Sequence, residues 1–276
     1  MDGTLTVKRD ALASILAGLD SVVVAYSGGV DSTLLAAVSH EVLGERSLAV
    51  TAASPALPAR GLRQASEVAA SRGWNHQVVR TDEMRREEYA RNEPDRCYWC
   101  KTELLEVLQP LAAARGARVV VGTNADDLSD HRPGIAAARE RGVLAPLAEA
   151  GLDKNAVREL SAELGLPTAT QPASPCLASR FAYGVRVTEE GLRRIERAEE
   201  FLLDLGFREL RVRDHGDVAR IEVPPDEVVR AASMASEIGD RLKALGFRYV
   251  TLDLNGFRSG SLNDVLLAPT FARPSA

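Results

Sequence analysis

Six residues near the start of the chain, Ser27-Gly28-Gly29-Val30-Asp31-Ser32, have the makings of an anion cradle. Consecutive glycines let a backbone turn tightly and aim amide N–H groups at a ligand. Ser27 and Ser32 add hydroxyl donors, and a helix starting here adds its positive end. The run lacks the Gly-Lys-Ser/Thr ending of a Walker loop, and with it the lysine that serves γ-phosphate transfer. Sulfur chemistry rests on Cys97, Cys100 and Cys176. A lone Cys-x-x-Cys suits a redox pair or half a zinc site, but a structural zinc needs two more ligands, and only Cys176 and a scatter of histidines remain. Three cysteines without an evident fourth ligand fit a 4Fe–4S cluster with one open iron. Cys176 reads either as a small buried hydrophobe or, with Arg180 four residues on, as an activated thiol. Asp126 and Asp127 offer carboxylates for Mg²⁺, with Asp127 equally suited to cap a helix. Arg180, Arg211 and Arg213 suit a phosphate, against a solvated strand face for the last two. His131 and His215 read as ordinary loop residues.

The elements that must position these groups alternate. Residues 7–19 have the spacing of an amphipathic helix. Residues 22–26 form a short β-branched run, followed by an expected helix over 31–43, a strand over 48–53, a helix over 59–71, a strand over 76–79, a helix over 102–115 and a strand over 118–121. This places Cys97 and Cys100 just before a helix. Alternating strands and helices predict an α/β fold, a parallel sheet covered by helices on both faces, with ligands at the carboxyl ends of its strands. The Pro- and Ser-bearing stretch 171–184 marks a boundary between a first domain, 1–180, that carries the glycine loop, and a small α+β domain, 181–276, for substrate or oligomerisation. In the latter Thr188 caps a helix, strands cover 210–213, 219–223 and 249–254, and one helix spans 225–245. Residues 273–276 are expected to fray.

The loop resembles that of the PP-loop ATPases, which cleave ATP between the α and β phosphates. Further segments narrow the match. Arg96-Cys97-Tyr98-Trp99-Cys100-Lys101, Gly122-Thr123-Asn124-Ala125-Asp126-Asp127, His131-Arg132-Pro133-Gly134, Pro175-Cys176-Leu177-Ala178-Ser179-Arg180 and Ala219-Arg220-Ile221-Glu222-Val223 resemble the LarE family over residues 21–250. The resemblance implies the PP-loop, adenine nucleotide alpha hydrolase-like fold. It implies an ATP-dependent sulfur transferase that adenylates a carboxylate of a pyridinium biscarboxylate mononucleotide and makes it a thiocarboxylate for the nickel-pincer cofactor. ATP would be held by Ala25, Ser27, Gly28, Gly29, Asp31, Ser32, Gly122, Asn124 and Asp127, with Mg²⁺ on Asp127. The substrate phosphate would fall to Arg180, Arg211 and Arg213, and a metal to Glu200 and Glu222, which otherwise read as surface carboxylates. In single-cysteine members the thiol at Cys176 gives up its sulfur and becomes dehydroalanine. This chain departs from that pattern with Cys97 and Cys100, which favours a 4Fe–4S cluster delivering a hydrosulfide. The expected partners are a small nucleotide substrate, further copies of the chain, and sulfur-donor or cofactor-pathway proteins.

The net charge of −5 over 276 residues gives no general attraction to nucleic acid or an anionic membrane. No apolar run is long enough to span a bilayer, no signal-peptide core is visible, and three cysteines make no disulfide framework, so a cytosolic location is expected. Two other PP-loop chemistries compete, tRNA thiolation and amide formation. A third alternative is a non-enzymatic nucleotide-binding or iron–sulfur scaffold. Pyrophosphate release separates enzyme from scaffold.

Overall fold

The computed structural model describes residues 3–129, 133–172, 175–258 and 261–263. His131 and the expected fraying of 273–276 lie outside them. The chain forms two units, residues 1–90 with 94–176, and residues 91–93 with 177–276.

In the first unit, α1 (Gly3–Ala17) buries Leu12 and Leu16 on one face. Then come β1 (Val22–Ala25), α2 (Val30–Leu43), β2 (Ser47–Ala53), α3 (Ala59–Ser71), β3 (His76–Arg80) and the short α4 (Glu87–Ala90). They are followed by α5 (Arg96–Ala113), β4 (Arg118–Val121), α6 (Pro133–Glu140), α7 (Pro146–Glu149) and α8 (Lys154–Glu163). Val22, Val23 and Val24 in β1 are all fully buried. Val22 and Val24 join one core with Leu12, Leu34 and Leu160, whereas Val23 joins another with Leu105 and Leu108. Side chains alternate across a strand, so β1 carries apolar residues at every position because both faces are covered.

All strand pairs of this sheet are parallel, in the order β3-β2-β1-β4. The chain runs outward from β1 through β2 to β3, then returns to place β4 on the other side of β1. That reversal is a topological switch point, where the loops leaving β1 and β4 diverge and open a crevice at the carboxyl ends. One expectation is corrected here. Helix α5 begins at Arg96 rather than Thr102, so Cys97 and Cys100 stand in its first turns instead of before it. The aromatic segment is secured by contacts that the chain's periodicity does not reveal: Trp99 Nε1 donates to Asp95 Oδ2 (2.8 Å) and Tyr98 Oη to Glu140 Oε2 (2.6 Å).

The second unit contains α9 (Glu189–Asp204), β5 (Arg211–Asp214), β6 (Val218–Glu222), α10 (Val228–Ser233), α11 (Ala235–Ala244) and β7 (Tyr249–Leu252). Thr188 caps α9 by accepting from Gly191 N at 3.0 Å, and Leu192, Ile195, Ala198 and Leu202 fill the core below. β5 pairs antiparallel and β7 parallel with β6. The single helix expected over 225–245 is broken at Met234. Ser233 Oγ donates to Arg230 O, a local bond that competes with the helical ladder.

Candidate active site

The phosphate loop is preformed. Ser27 and Ser32 hydroxyls lie 3.1 Å apart, Ser27 N donates to Ser32 Oγ (3.2 Å), and Ser32 Oγ reaches Gly29 O (3.1 Å). Ser32 is therefore buried within the loop. Gly28 adopts φ +77°, the left-handed region that side chains resist, and a Cβ there would sit 2.9 Å from Ala65 Cβ. Gly29 is the N-cap of α2 and brings no capping side chain, which leaves the first amides of a 14-residue helix to an incoming anion.

Gly122 follows β4 so close to this loop that a Cβ would lie 2.8 Å from Ser32 N. From there the chain enters a carboxylate network. Asn124 Nδ2 donates to Asp31 Oδ1 (3.0 Å), Asn124 N to Asp127 Oδ2 (3.1 Å) and Asp127 N back to Asn124 Oδ1 (3.2 Å). Lys154, the first residue of α8, donates its ammonium to Asp31 Oδ2 (2.5 Å) and its backbone N–H to Asp126 Oδ2 (2.9 Å). Among the predicted nucleotide residues, Ala25, Ser27, Gly29, Asp31, Ser32, Gly122 and Asp127 line one cavity of about 300 Å³, whose wall also includes Thr51 and Lys101. A shallower depression bounded by Ser21, Arg46 and Gly116 lies at the opposite, amino ends of the strands.

Lys101 and Lys154 were not singled out by the sequence reading. Lys101 stands four residues after Cys97, one helical turn away, so the helical pattern would have found it had α5 been started at Arg96. Nothing local marks Lys154 beyond its place after the capping Asp153, because Asp31 is 123 residues away.

The three thiols differ. Cys97 is exposed, while Cys100 and Cys176 are half-buried. Burial pushes the Cys100 thiol well up, reinforced by Cys176, Glu83 and Cys97 and opposed by Lys101. Burial opposes the charge on Arg96, yet Cys176, Cys97 and Tyr89 together hold its guanidinium above the usual arginine value. The Tyr89 phenol is buried and pushed up mainly by desolvation, with Cys176 and Cys100 acting in the same sense. All three cysteines thus share one electrostatic neighbourhood. No group of three His, Cys, Asp or Glu among the described residues is placed to hold a metal ion. The iron–sulfur cluster expected from the three cysteines therefore gains no support from this arrangement.

In the second unit Arg180, Arg211 and Arg213 crowd together. The Arg180 guanidinium is buried and forks onto Glu199, at 3.0 and 3.1 Å. Arg213 is also buried; its Nε donates to Glu222 Oε2 (2.9 Å) and its Nη1 to Ser179 O (3.1 Å). Arg211 is half-buried, donates to Leu210 O (2.6 Å) and lies over the Phe257 ring. Burial, then the Arg180 charge, pushes the Arg211 pKa down to about 10, with Arg213 acting the same way and Glu199 against them. The solvated-strand alternative therefore fails for Arg213. Glu222 is likewise no surface carboxylate: it is fully buried, holding Arg213, Arg220 (2.8 Å) and Ser261 (2.8 Å), whereas Glu200 is exposed on α9.

Comparison with known proteins sets this geometry in context. The NAD synthase family profile matches residues 9–129. The chain is 38% identical over 265 residues to the pyridinium-3,5-bisthiocarboxylic acid mononucleotide synthase of Lactiplantibacillus plantarum, covering 95% of this chain and 96% of that protein. It is 47% identical to an uncharacterized protein of Synechocystis sp., over 95% of this chain and 99% of the relative. It is 32% identical to one of Methanocaldococcus jannaschii, over 86% and 91%. No helix among the described residues is long and apolar enough to cross a membrane. A near full-length match to the named synthase, together with a PP-loop domain built around Ser27–Ser32, makes the chain a member of the LarE family of PP-loop enzymes.

Proposed function

We propose that this protein adenylates a carboxylate of a pyridinium biscarboxylate mononucleotide with ATP and exchanges the activated oxygen for sulfur, in the cytosol. The observation that carries this reading is the near full-length identity to a synthase named for the bisthiocarboxylic acid product. A free carboxylate is a poor electrophile, whereas its mixed anhydride with AMP has a good leaving group. The preformed loop and the open N-terminus of α2 suit the phosphates. ATP arrives as its Mg²⁺ complex, for which Asp31 and Asp127 are the facing carboxylates. Arg180, Arg211 and Arg213 take the substrate phosphate; a bound dianion would offset the burial and the Arg180 charge that lower the Arg211 pKa.

Cys176 delivers the sulfur in this reading. Its thiolate attacks the acyl carbon and AMP leaves, giving a thioester. Removal of the Cys176 Cα proton then breaks the Cβ–S bond, and the electron pair departs with sulfur as thiocarboxylate, leaving dehydroalanine. Cys97, Cys100 and Cys176 would be the ligands of a 4Fe–4S cluster, which would supply a hydrosulfide where it is bound. The test is incubation with MgATP and pyridinium-3,5-biscarboxylic acid mononucleotide. Pyrophosphate, AMP and a thiocarboxylate product are expected, with the protein lighter by one H₂S at Cys176. ATP that stays intact in the presence of this substrate would rule the reading out. The NAD synthase profile over residues 9–129 admits a second nucleophile, ammonia, and the same assay with ammonium would then yield an amide.

A further inference from the structure

Asp31 is the one carboxylate of the phosphate loop, and both of its oxygens are engaged: Oδ1 accepts from Asn124 Nδ2 at 3.0 Å and Oδ2 from Lys154 Nζ at 2.5 Å. The Asp31–Lys154 pair is only partly covered, with side-chain exposures of 22% and 37%. It crosses from the start of α2 to the start of α8, and the Lys154 backbone N–H is anchored separately on Asp126. The ammonium can therefore leave Asp31 without moving the backbone of α8. We infer that Lys154 belongs to the ATP-binding machinery: it neutralises Asp31 until MgATP arrives, then exchanges that partner for the β- and γ-phosphates and stays with the departing pyrophosphate.

The argument is electrostatic and rests on the adenylation reading. MgATP brings a dication, for which Asp31 is a better partner than an ammonium, and a polyanion, for which Lys154 carries the full positive charge that Asn124 and the loop amides lack. Opening one ion pair thus forms two stronger ones. The chemistry then loads the same lysine. The carboxylate oxygen bonds to the α-phosphorus, the bond from that phosphorus to the bridging oxygen breaks, and its electron pair leaves on pyrophosphate. Negative charge builds on the leaving group, and an ammonium held there is worth most in the transition state. Without Lys154, a partly buried Asp31 keeps an unbalanced charge beside the incoming phosphates.

Calorimetric titration of the full chain with Mg²⁺ and α,β-methylene-ATP, whose α–β link cannot be cleaved, tests this without the pyridinium substrate. Lys154→Ala should weaken binding by about 10- to 100-fold, the loss of a charge-assisted contact. AMP, which lacks the β- and γ-phosphates, should bind both proteins alike. Lys154→Arg should recover most of the affinity. Mn²⁺ alone, read by electron paramagnetic resonance, should bind Lys154→Ala more tightly than wild type, because Asp31 is released. Equal weakening toward AMP and the methylene analogue would make Lys154 a structural residue, and unchanged analogue affinity would also overturn the proposal. Wild type that binds no analogue would sink the adenylation reading itself, and this inference with it. If Lys154→Ala does not fold, the Lys154→Arg and Lys154→Gln pair carries the same comparison.

Discussion

Arg211 and Arg213 are two positions apart on β5, yet the energetics of losing them should differ. Arg213 is buried against a fully buried Glu222. Arg213→Ala leaves that carboxylate held only by Arg220 and Ser261, and removing one partner of a buried pair typically costs about 3–5 kcal/mol. Urea unfolding should show this loss directly, and a variant as stable as wild type would mean that Arg220 alone suffices. Arg211 is half-buried, and burial first and the Arg180 charge second weigh against its own charge. Arg211→Ala should leave stability nearly unchanged, or raise it, while increasing KM for the nucleotide substrate by about 10- to 100-fold and KM for ATP hardly at all. Equal effects on both substrates would remove Arg211 from the phosphate site. The sequence suggests a phosphate for all three arginines and does not separate their roles. The distinction comes from Glu222 and Glu199, whose pairing with the arginines is set by tertiary packing rather than by strand alternation.

At the scale of elements, short signals with a local cause were legible. The β-branched run of β1, the Ser-Gly-Gly turn and the Thr188 cap all lie where the chain predicts them. Two helix boundaries were not, since α5 gains its first turns from Trp99–Asp95 and Tyr98–Glu140, and the break at Met234 involves no glycine or proline. The early start of α5 bears on the sulfur source, because it puts Cys97 and Cys100 on a formed helix. The Cys97→Ala/Cys100→Ala variant should therefore fold and still transfer one sulfur per chain from Cys176. Loss of both colour and activity in that variant, measured after anaerobic purification with iron and sulfide analysis, would return the case to a cluster. The junction of β4 with α2 is equally specific. Gly122→Ala drives a Cβ against the Ser32 amide, and the nearest atoms are backbone that cannot rotate away. Overpacking of this kind costs about 1–3 kcal/mol. The strain falls on the phosphate loop, so affinity for MgATP should drop while substrate-phosphate binding is spared.

Across the whole molecule, the parallel sheet was legible because alternating strand and helix patterns admit few topologies. The cavity at the switch point followed from that order. The contacts beside it, Lys154 reaching Asp31 and Gly122 meeting Ser32, join distant segments and left no trace in local spacing. Stability toward acid is a property of the same scale. His76 in the first unit is held below the ordinary histidine value by burial, with its Nε2 2.9 Å from Thr51 Oγ1. His215 in the second unit is lowered by burial and then by Arg220. Each folded unit thus takes up its histidine proton later than the unfolded chain does. Where the unfolded state binds more protons, stability falls as pH falls. The loss begins near the unfolded histidine value of about 6.5 and stops growing once the folded histidine is itself protonated. Asp153, lowered chiefly by the Ala156 N–H, acts in the same direction but only below the unfolded carboxylate value of about 3.9. In the interval between these two values the lowered histidines reduce stability as pH falls. Both tryptophans, Trp74 and Trp99, are in the first unit, so their fluorescence during urea unfolding reports on that unit. Between pH 7 and 5, at roughly these histidine values, the fluorescence midpoint of wild type should move to lower urea, and His76→Gln should flatten that dependence. A His76→Gln curve as steep as wild type would show that the imidazole titrates alike in both states and that its burial carries no stability.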